Sequence, residues 1–192
     1  MSRLDQQMAF LTEIDKLKSV IRATSLCDGS RMENSAEHSW HIALYALVLA
    51  EHAEDDINVS KVLKMLLLHD LVEIDAGDAP VFGDHDAAAL AKQEAAAADR
   101  IFGLLPDDQA ERFRAIWDEF EANQSPEAKF AKSIDRMQPP VHNIASGGGS
   151  WTTYNVTQEM FESRIGPKIN NGAPKLWAWL HPKVAAFFKA RG

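Results

Sequence analysis

Between Val59 and Val72 the chain is apolar nearly all round. Val62, Leu63, Met65, Leu66, Leu67, Leu68 and Leu71 leave few polar interruptions, and the last of these is the pair His69-Asp70. A helix of this kind has no face to offer water and must be covered on every side. The run is too long for a buried strand and too short to span a bilayer. The chain must therefore wrap other elements around it. The pair at its end adds a second constraint. Burying a carboxylate beside an imidazole is costly unless both are paired or bind a metal.

The covering elements read as helices. Leu4, Met8, Leu11, Ile14, Leu17 and Ile21 fall at steps of three and four and predict one apolar stripe. Asn34, with Glu37 three residues on, predicts a capping box, and Ile42, Tyr45, Leu49 and Ala53 follow on one face. The alanine-rich stretch from Ala87 to Phe102 predicts a helix ending at Gly103, thin enough for close packing or a contact between copies. Residues 107–123 carry Ala110, Phe113, Ile116, Trp117 and Phe120 on one side. Ser125-Pro126 is a helix start. That helix is expected to stop by Gln138, because Pro139-Pro140 cannot donate to its ladder. Gly147-Gly148-Gly149-Ser150 reads as an internal loop. Leu176, Trp177, Leu180, Val184 and Phe187 mark a last helix. No segment alternates for long, so the expected fold is all-α, a single-domain bundle over residues 1–192 with roughly six to nine helices.

Composition narrows the function. Asp and Glu number 28 against 20 Lys and Arg, a formal charge of -8. No basic cluster offsets it, so no nucleic-acid polymer is expected as partner. A phosphorylated ligand would need a metal or local cations. The single cysteine, Cys27, excludes an internal disulfide and a four-cysteine zinc site. The longest uninterrupted apolar run, Ile42 to Ala50, cannot cross a membrane, and residues 1–10 carry no signal-peptide core. No membrane partner and a cytoplasmic location are expected.

The chemistry centres on His69-Asp70. Glu73 lies four and three positions on, sharing their face in a continuous helix, and is a candidate general acid or base. Asp78 follows Gly77 as a second carboxylate. His38 stands in the first turn of the second helix and Asp135 on the helix begun at Ser125. Together His38, His69, Asp70 and Asp135 would form a two-histidine, two-carboxylate site for a divalent transition metal. His41, three residues after His38, is read as packing or hydrogen bonding nearby.

These residues resemble the signature of the HD-domain metal-dependent phosphohydrolases. Arg31-Met32-Glu33-Asn34-Ser35-Ala36-Glu37-His38-Ser39 and His69-Asp70-Leu71-Val72-Glu73-Ile74-Asp75-Ala76-Gly77-Asp78 are similar to segments of the 5′-deoxynucleotidase branch. Asp135-Arg136-Met137-Gln138-Pro139 and Gly148-Gly149-Ser150-Trp151 resemble a related group with less defined substrates. The likeness covers about residues 5–155 and leaves the tail, 156–192, without a role. It implies an all-helical fold and hydrolysis of deoxynucleoside 5′-monophosphates. It also implies one divalent ion on His38, His69, Asp70 and Asp135: cobalt or manganese in vitro, with magnesium, zinc, iron and nickel as alternatives. Glu73 would activate the attacking water, and Asp78 would meet that water or the sugar. Arg22 would lie near the phosphate and sugar. Ala23 follows it where the branch's best-known bacterial members have tryptophan. A homodimer is implied on the same ground. Two other readings stay open: hydrolysis of another small phosphorylated metabolite, and a non-catalytic nucleotide-binding regulatory module.

Overall fold

The computed structural model describes residues 1–191. Among them are eleven α-helices: α1 (Arg3–Ile14), α2 (Ser35–Leu49), α3 (Val59–Leu68), α4 (Glu73–Ala76), α5 (Ala87–Phe102), α6 (Asp107–Ala122), α7 (Pro126–Ala145), α8 (Gly149–Thr153), α9 (Gln158–Arg164), α10 (Gly166–Asn170) and α11 (Pro174–Lys189). The count exceeds the six to nine expected because several, such as α4, α8 and α10, are little more than one turn. The fold is all-α. The sole sheet among the described residues is an antiparallel hairpin of β1 (Ile21–Ser25) and β2 (Met32–Asn34), with Ile21 opposite Asn34 and Ser25 opposite Met32.

The apolar run is central, as its composition demands: Val62, Met65 and Leu66 are fully buried. It is not one helix, however. At His69 the coil tightens into a 3₁₀ turn, His69–Val72, before α4 resumes. Two apolar clusters meet there. Leu66 packs with Ile42, Phe130, Ile134 and the C-terminal helices. Leu68, Leu71 and Val72 pack with Phe10, Ala98, Ile101, Phe102 and Trp117. The His69–Val72 turn therefore lies on the seam between the clusters, and its polar side chains have one direction left.

Four sequence expectations need correction. The stripe on α1 points outward: Leu4, Met8 and Leu11 are exposed, while Phe10 and Leu17 are buried. The inward face is set by Phe10, buried edge-on to Phe113 and followed inward by Ile14 and Leu17, with Gln7 on Gln109 (2.6 Å) beside it and the exposed pair Arg3–Asp108 at the rim. Ile21 belongs to β1, not to that helix. The third correction concerns α7, which runs through Pro139 and Pro140 to Ala145. An interior proline costs about 3 kcal/mol or more, and here the Asp135 and Arg136 carbonyls lose their usual amide donors. Tertiary anchors beyond the prolines hold the helix. His142 Nδ1 bonds the Ser25 carbonyl at 3.0 Å, and Asn143 bonds Ser150 through both its amide nitrogen and its oxygen. Half of the expected glycine loop is in fact helix, since Gly149 opens α8.

The tail is part of the core. Phe161, Ile169, Ala173, Leu180 and Val184 are buried in the cluster that holds α3 and α7. Trp151 stacks on Phe188 and meets Phe161 and Phe187 edge-on.

Candidate metal centre

Each candidate ligand is placed by a local rule. Asn34 caps α2 and Glu37 reaches back to the Asn34 amide, the expected capping box, which fixes where the first turn lies and so where His38 points. Ser125 caps α7, with Pro126 at its first turn, and sends Ile134 into the core while Asp135 faces the seam. His69 and Asp70 come from the tightened turn.

The geometry gathers three of the four expected ligands most closely. His38, His69 and Asp135 each offer an atom within 4.8 Å of the others, and all three are buried. His38 Nε2 lies 3.1 Å from Asp135 Oδ1, and His69 Nε2 lies 3.8 Å from the same oxygen. Asp70 borders the group, with Oδ1 2.9 Å from His69 Nε2 and Oδ2 4.0 Å from His38 Nε2. The remote nitrogens are tied down. His69 Nδ1 donates to the Leu66 carbonyl at 2.9 Å, and His38 Nδ1 faces Gln138 Oε1 at 3.2 Å and Glu33 Oε1 at 3.4 Å. Such contacts fix the tautomer that leaves Nε2 for a metal. His69 Nε2 is buried with no hydrogen bond, a polar atom aimed at the cluster and left unserved. Two imidazoles and one or two carboxylates around such an atom suit a divalent transition metal.

The buried charges of the site hold one another in place. Burial alone would lower the His69 pKa, but Asp70 and Asp135 outweigh it and raise it to about 10. Burial would raise Asp70, yet His69 and Arg22 hold it at about 2. Asp135 lies well below its usual range, because Arg136, His38 and His69 overcome its burial.

Arg22 is neither on a helix nor on the surface. It sits on β1, buried, among four carboxylates: Asp70 at 3.0 Å, Glu33 at 3.3 Å, Asp78 at 3.5 Å and Glu73 at 3.6 Å. Glu73 Oε2 accepts from Ser35 Oγ at 2.5 Å, leaving Oε1 toward Arg22. Burial first, then Asp70, raises Glu73 to about 8, with Arg22 opposing. Gly77, at φ +76°, turns the chain so that Asp78 comes back beside Arg22, where Asp78 Oδ2 accepts from the Ala23 amide at 3.3 Å. Burial raises Asp78 as well. Glu73 and Asp78 thus meet the metal group through Arg22 and Asp70; the tightened turn removes the simple helical face expected to link Glu73 to His69.

Sequence reasoning about single residues passed over a buried polar chain behind His38. Gln138 Nε2 donates to Glu33 Oε2 at 2.9 Å and to His142 Nε2 at 3.1 Å, and His142 Nε2 lies 3.3 Å from His41 Nδ1. The hairpin carrying Arg22 and Glu33 was detectable in principle: Val20, Ile21 and Thr24 are β-branched, and Asp28-Gly29 is a turn signal. Gln138 and His142 had none, since the prolines between them argued against one helix.

Two cavities open at the centre. One, of about 270 Å³, is lined by His69, Asp70, Glu73, Asp78 and Asp135, with Arg136 and Lys168. A smaller one shares Arg22, Asp78 and Arg136 with it and continues over Pro80, Phe82, Trp151 and Tyr154.

The HD domain family matches residues 14–177. A zebrafish protein named 5′-deoxynucleotidase HDDC2 is 27% identical over 136 residues, 70% of this chain and 66% of that protein. The chain spans 63% to 66% of the length of the vertebrate relatives of that name. The 5′-deoxynucleotidase yfbR of Photorhabdus temperata is 27% identical over 164 residues, 81% of this chain and 82% of the relative. A crystal structure described as a predicted metal-dependent phosphohydrolase from Magnetospirillum magnetotacticum MS-1 is 44% identical. It superposes with a TM-score of 0.92 over 98% of this chain and 97% of that one.

Proposed function

This chain belongs to the HD-domain family, and on that premise we propose that it is a metal-dependent phosphomonoesterase acting on deoxynucleoside 5′-monophosphates. The observation that carries the reading is the buried group of His38, His69 and Asp135, with His69 Nε2 unserved at its centre. The substrate choice draws on the relatives named 5′-deoxynucleotidases. A second reading, another small phosphorylated metabolite, is favoured by the 44% identical neighbour, whose description stops at metal-dependent phosphohydrolase.

In this reading His38, His69, Asp70 and Asp135 hold one divalent ion. The ion supplies positive charge that offsets the phosphate dianion and lowers the pKa of a water. The chain's own groups do the rest. Glu73 Oε1, its partner oxygen fixed by Ser35, accepts a proton from the attacking water. The water oxygen bonds to phosphorus, the bond to the 5′ oxygen breaks, and a proton ends on the released 5′ hydroxyl. Asp78, held by the Ala23 amide, orients water or sugar. Arg22 keeps Asp70, Glu73 and Asp78 converged, its own proton secured because those carboxylates outweigh its burial. The smaller cavity, walled by Phe82, Trp151 and Tyr154, accommodates the organic part of the substrate. Ala23, at the position where the branch's best-known bacterial members have tryptophan, lines it.

A homodimer belongs to the same proposal. It is supported by exposed Trp40, Leu44, Leu47 and Val48 on α2, with Trp179 nearby on a shared groove. No helix of the described residues is long and apolar enough to cross a membrane.

The test is phosphate release from 5′-ribo- and deoxyribonucleotides by chelated protein and by protein reloaded with cobalt, manganese, magnesium or zinc, with His69→Ala as the blank. Metal-dependent release from deoxynucleotides, absent in the blank, is expected. Metal bound at one ion per chain with no nucleotide turned over would discard the substrate and favour the second reading or a binding role.

A further inference from the structure

The larger cavity is lined by both carboxylates and cations. On the Arg22 side every carboxylate within reach already has that guanidinium as partner. Arg22 is shared among four acids, and a phosphate dianion approaching it would meet their charge first. The cavity is also lined by Lys132 and Arg136 of α7 and Lys168 of α10, with Glu94, Glu121 and Asp135 among them. Lys132 is accounted for: its ammonium pairs with Glu121 at 2.9 Å and lies over the Phe120 ring.

The other two cations are less fully paired. Lys168 makes no ion pair among the described residues, although it lines the cavity; burial, then Arg136, then Lys132 push its pKa down, and Asp135 opposes them. Arg136 approaches Asp135 Oδ2 with Nε at 3.4 Å, but that nitrogen is buried and makes no hydrogen bond. Arg136 Nε, a buried donor without a hydrogen bond, is open to an acceptor from outside the chain, and Lys168, exposed and lining the same cavity, can turn its ammonium to that acceptor. The place that acceptor would occupy borders Asp135. Arg136 also lines the smaller cavity, so an anion held there has its organic remainder directed along Phe82 and Trp151.

We propose that Arg136 and Lys168 form the subsite that holds the terminal phosphate oxygens of the substrate. The proposal rests on the phosphomonoesterase reading above and deepens it. It assigns a task to α10, in the tail that carried no motif. Ser133 Oγ bonds the Lys168 carbonyl at 3.2 Å and so fixes α10 to the helix that carries Asp135 and Arg136.

The experiment uses the manganese-loaded 192-residue chain and inorganic phosphate as the probe, measured by calorimetry, with deoxyadenosine 5′-monophosphate turnover in parallel. Lys168→Gln is expected to weaken phosphate binding about tenfold and Lys168→Glu further, while Lys168→Arg stays within about threefold of wild type, as loss of one charge-assisted bond implies. KM should rise by a similar factor with a smaller change in kcat, and manganese stoichiometry should hold at one per chain. Rising salt should weaken phosphate binding less in Lys168→Gln than in wild type. Wild-type phosphate affinity in Lys168→Gln, with nucleotide turnover intact, would overturn the subsite and leave the enzyme reading standing. Lys168-dependent phosphate binding without turnover of any nucleotide would keep the subsite and overturn the nucleotidase reading.

Discussion

Replacing Arg22 by methionine isolates what one buried cation does for this site. Arg22→Met keeps length and apolar volume but removes the charge shared by Glu33, Asp70, Glu73 and Asp78 at 3.0–3.6 Å. Each gross attraction is about 5 kcal/mol at an effective dielectric of 20. Desolvation cancels much of that, and breaking a buried pair by removing one partner costs about 3–5 kcal/mol net. For a domain of this size that lowers Tm by roughly 6–20 °C. The loss should depend on pH. Glu73 already stands at about 8, and Asp78 is raised, so without Arg22 both take up protons and relieve the repulsion in acid. Thermal unfolding followed by circular dichroism in chelator should therefore show a larger gap between wild type and variant at pH 8 than at pH 5. Manganese should narrow the gap, because it returns positive charge beside Asp70. Equal Tm values in chelator at pH 8 would refute the claim that Arg22 neutralises this group.

Glu33→Gln removes the carboxylate behind His38 while keeping its shape, and should weaken manganese binding about 10–100-fold by calorimetry; unchanged affinity would deny Glu33 a role in orienting that ring. In metal-free protein the folded pKa of Glu73 is raised from 4.5 to about 8. Its contribution to stability is complete below pH 4.5 and is lost as pH rises through 8, so Glu73→Gln should flatten that part of the stability profile. The metal-loaded variant should lose about a hundredfold or more in kcat; a wild-type pH profile and rate would remove Glu73 from the mechanism. Gly172→Ala would place a methyl 2.6 Å from the Phe130 amide nitrogen, against the rigid backbone of α7, and should cost about 1–3 kcal/mol in urea unfolding. A change below about 0.5 kcal/mol would mean that the tail packs on α7 less tightly than described.

Much of the fold was legible before any coordinates. The apolar run around Leu66 could only be central, and caps at Asn34 and Ser125 act through neighbours three residues away, so α2 and α7 begin where the sequence says. The pairing of His69 with Asp70 marked a buried polar site for the same reason: burial and charge are both written in residue type. Tertiary structure decided what depends on partners distant in the chain. It turned the first turns of α1 so that Phe10 rather than Leu4, Met8 and Leu11 faces inward, and carried α7 past two prolines on bonds from Ser25 and Ser150. It tightened α3 into a 3₁₀ turn where two cores meet, and placed Arg22 on a hairpin among four acids. Periodicity reports which residues avoid water, a property of each side chain and its near neighbours. Which imidazole meets which carboxylate, and which cations are left without one, is settled only when segments about a hundred residues apart, such as those bearing His38 and Asp135, are packed together.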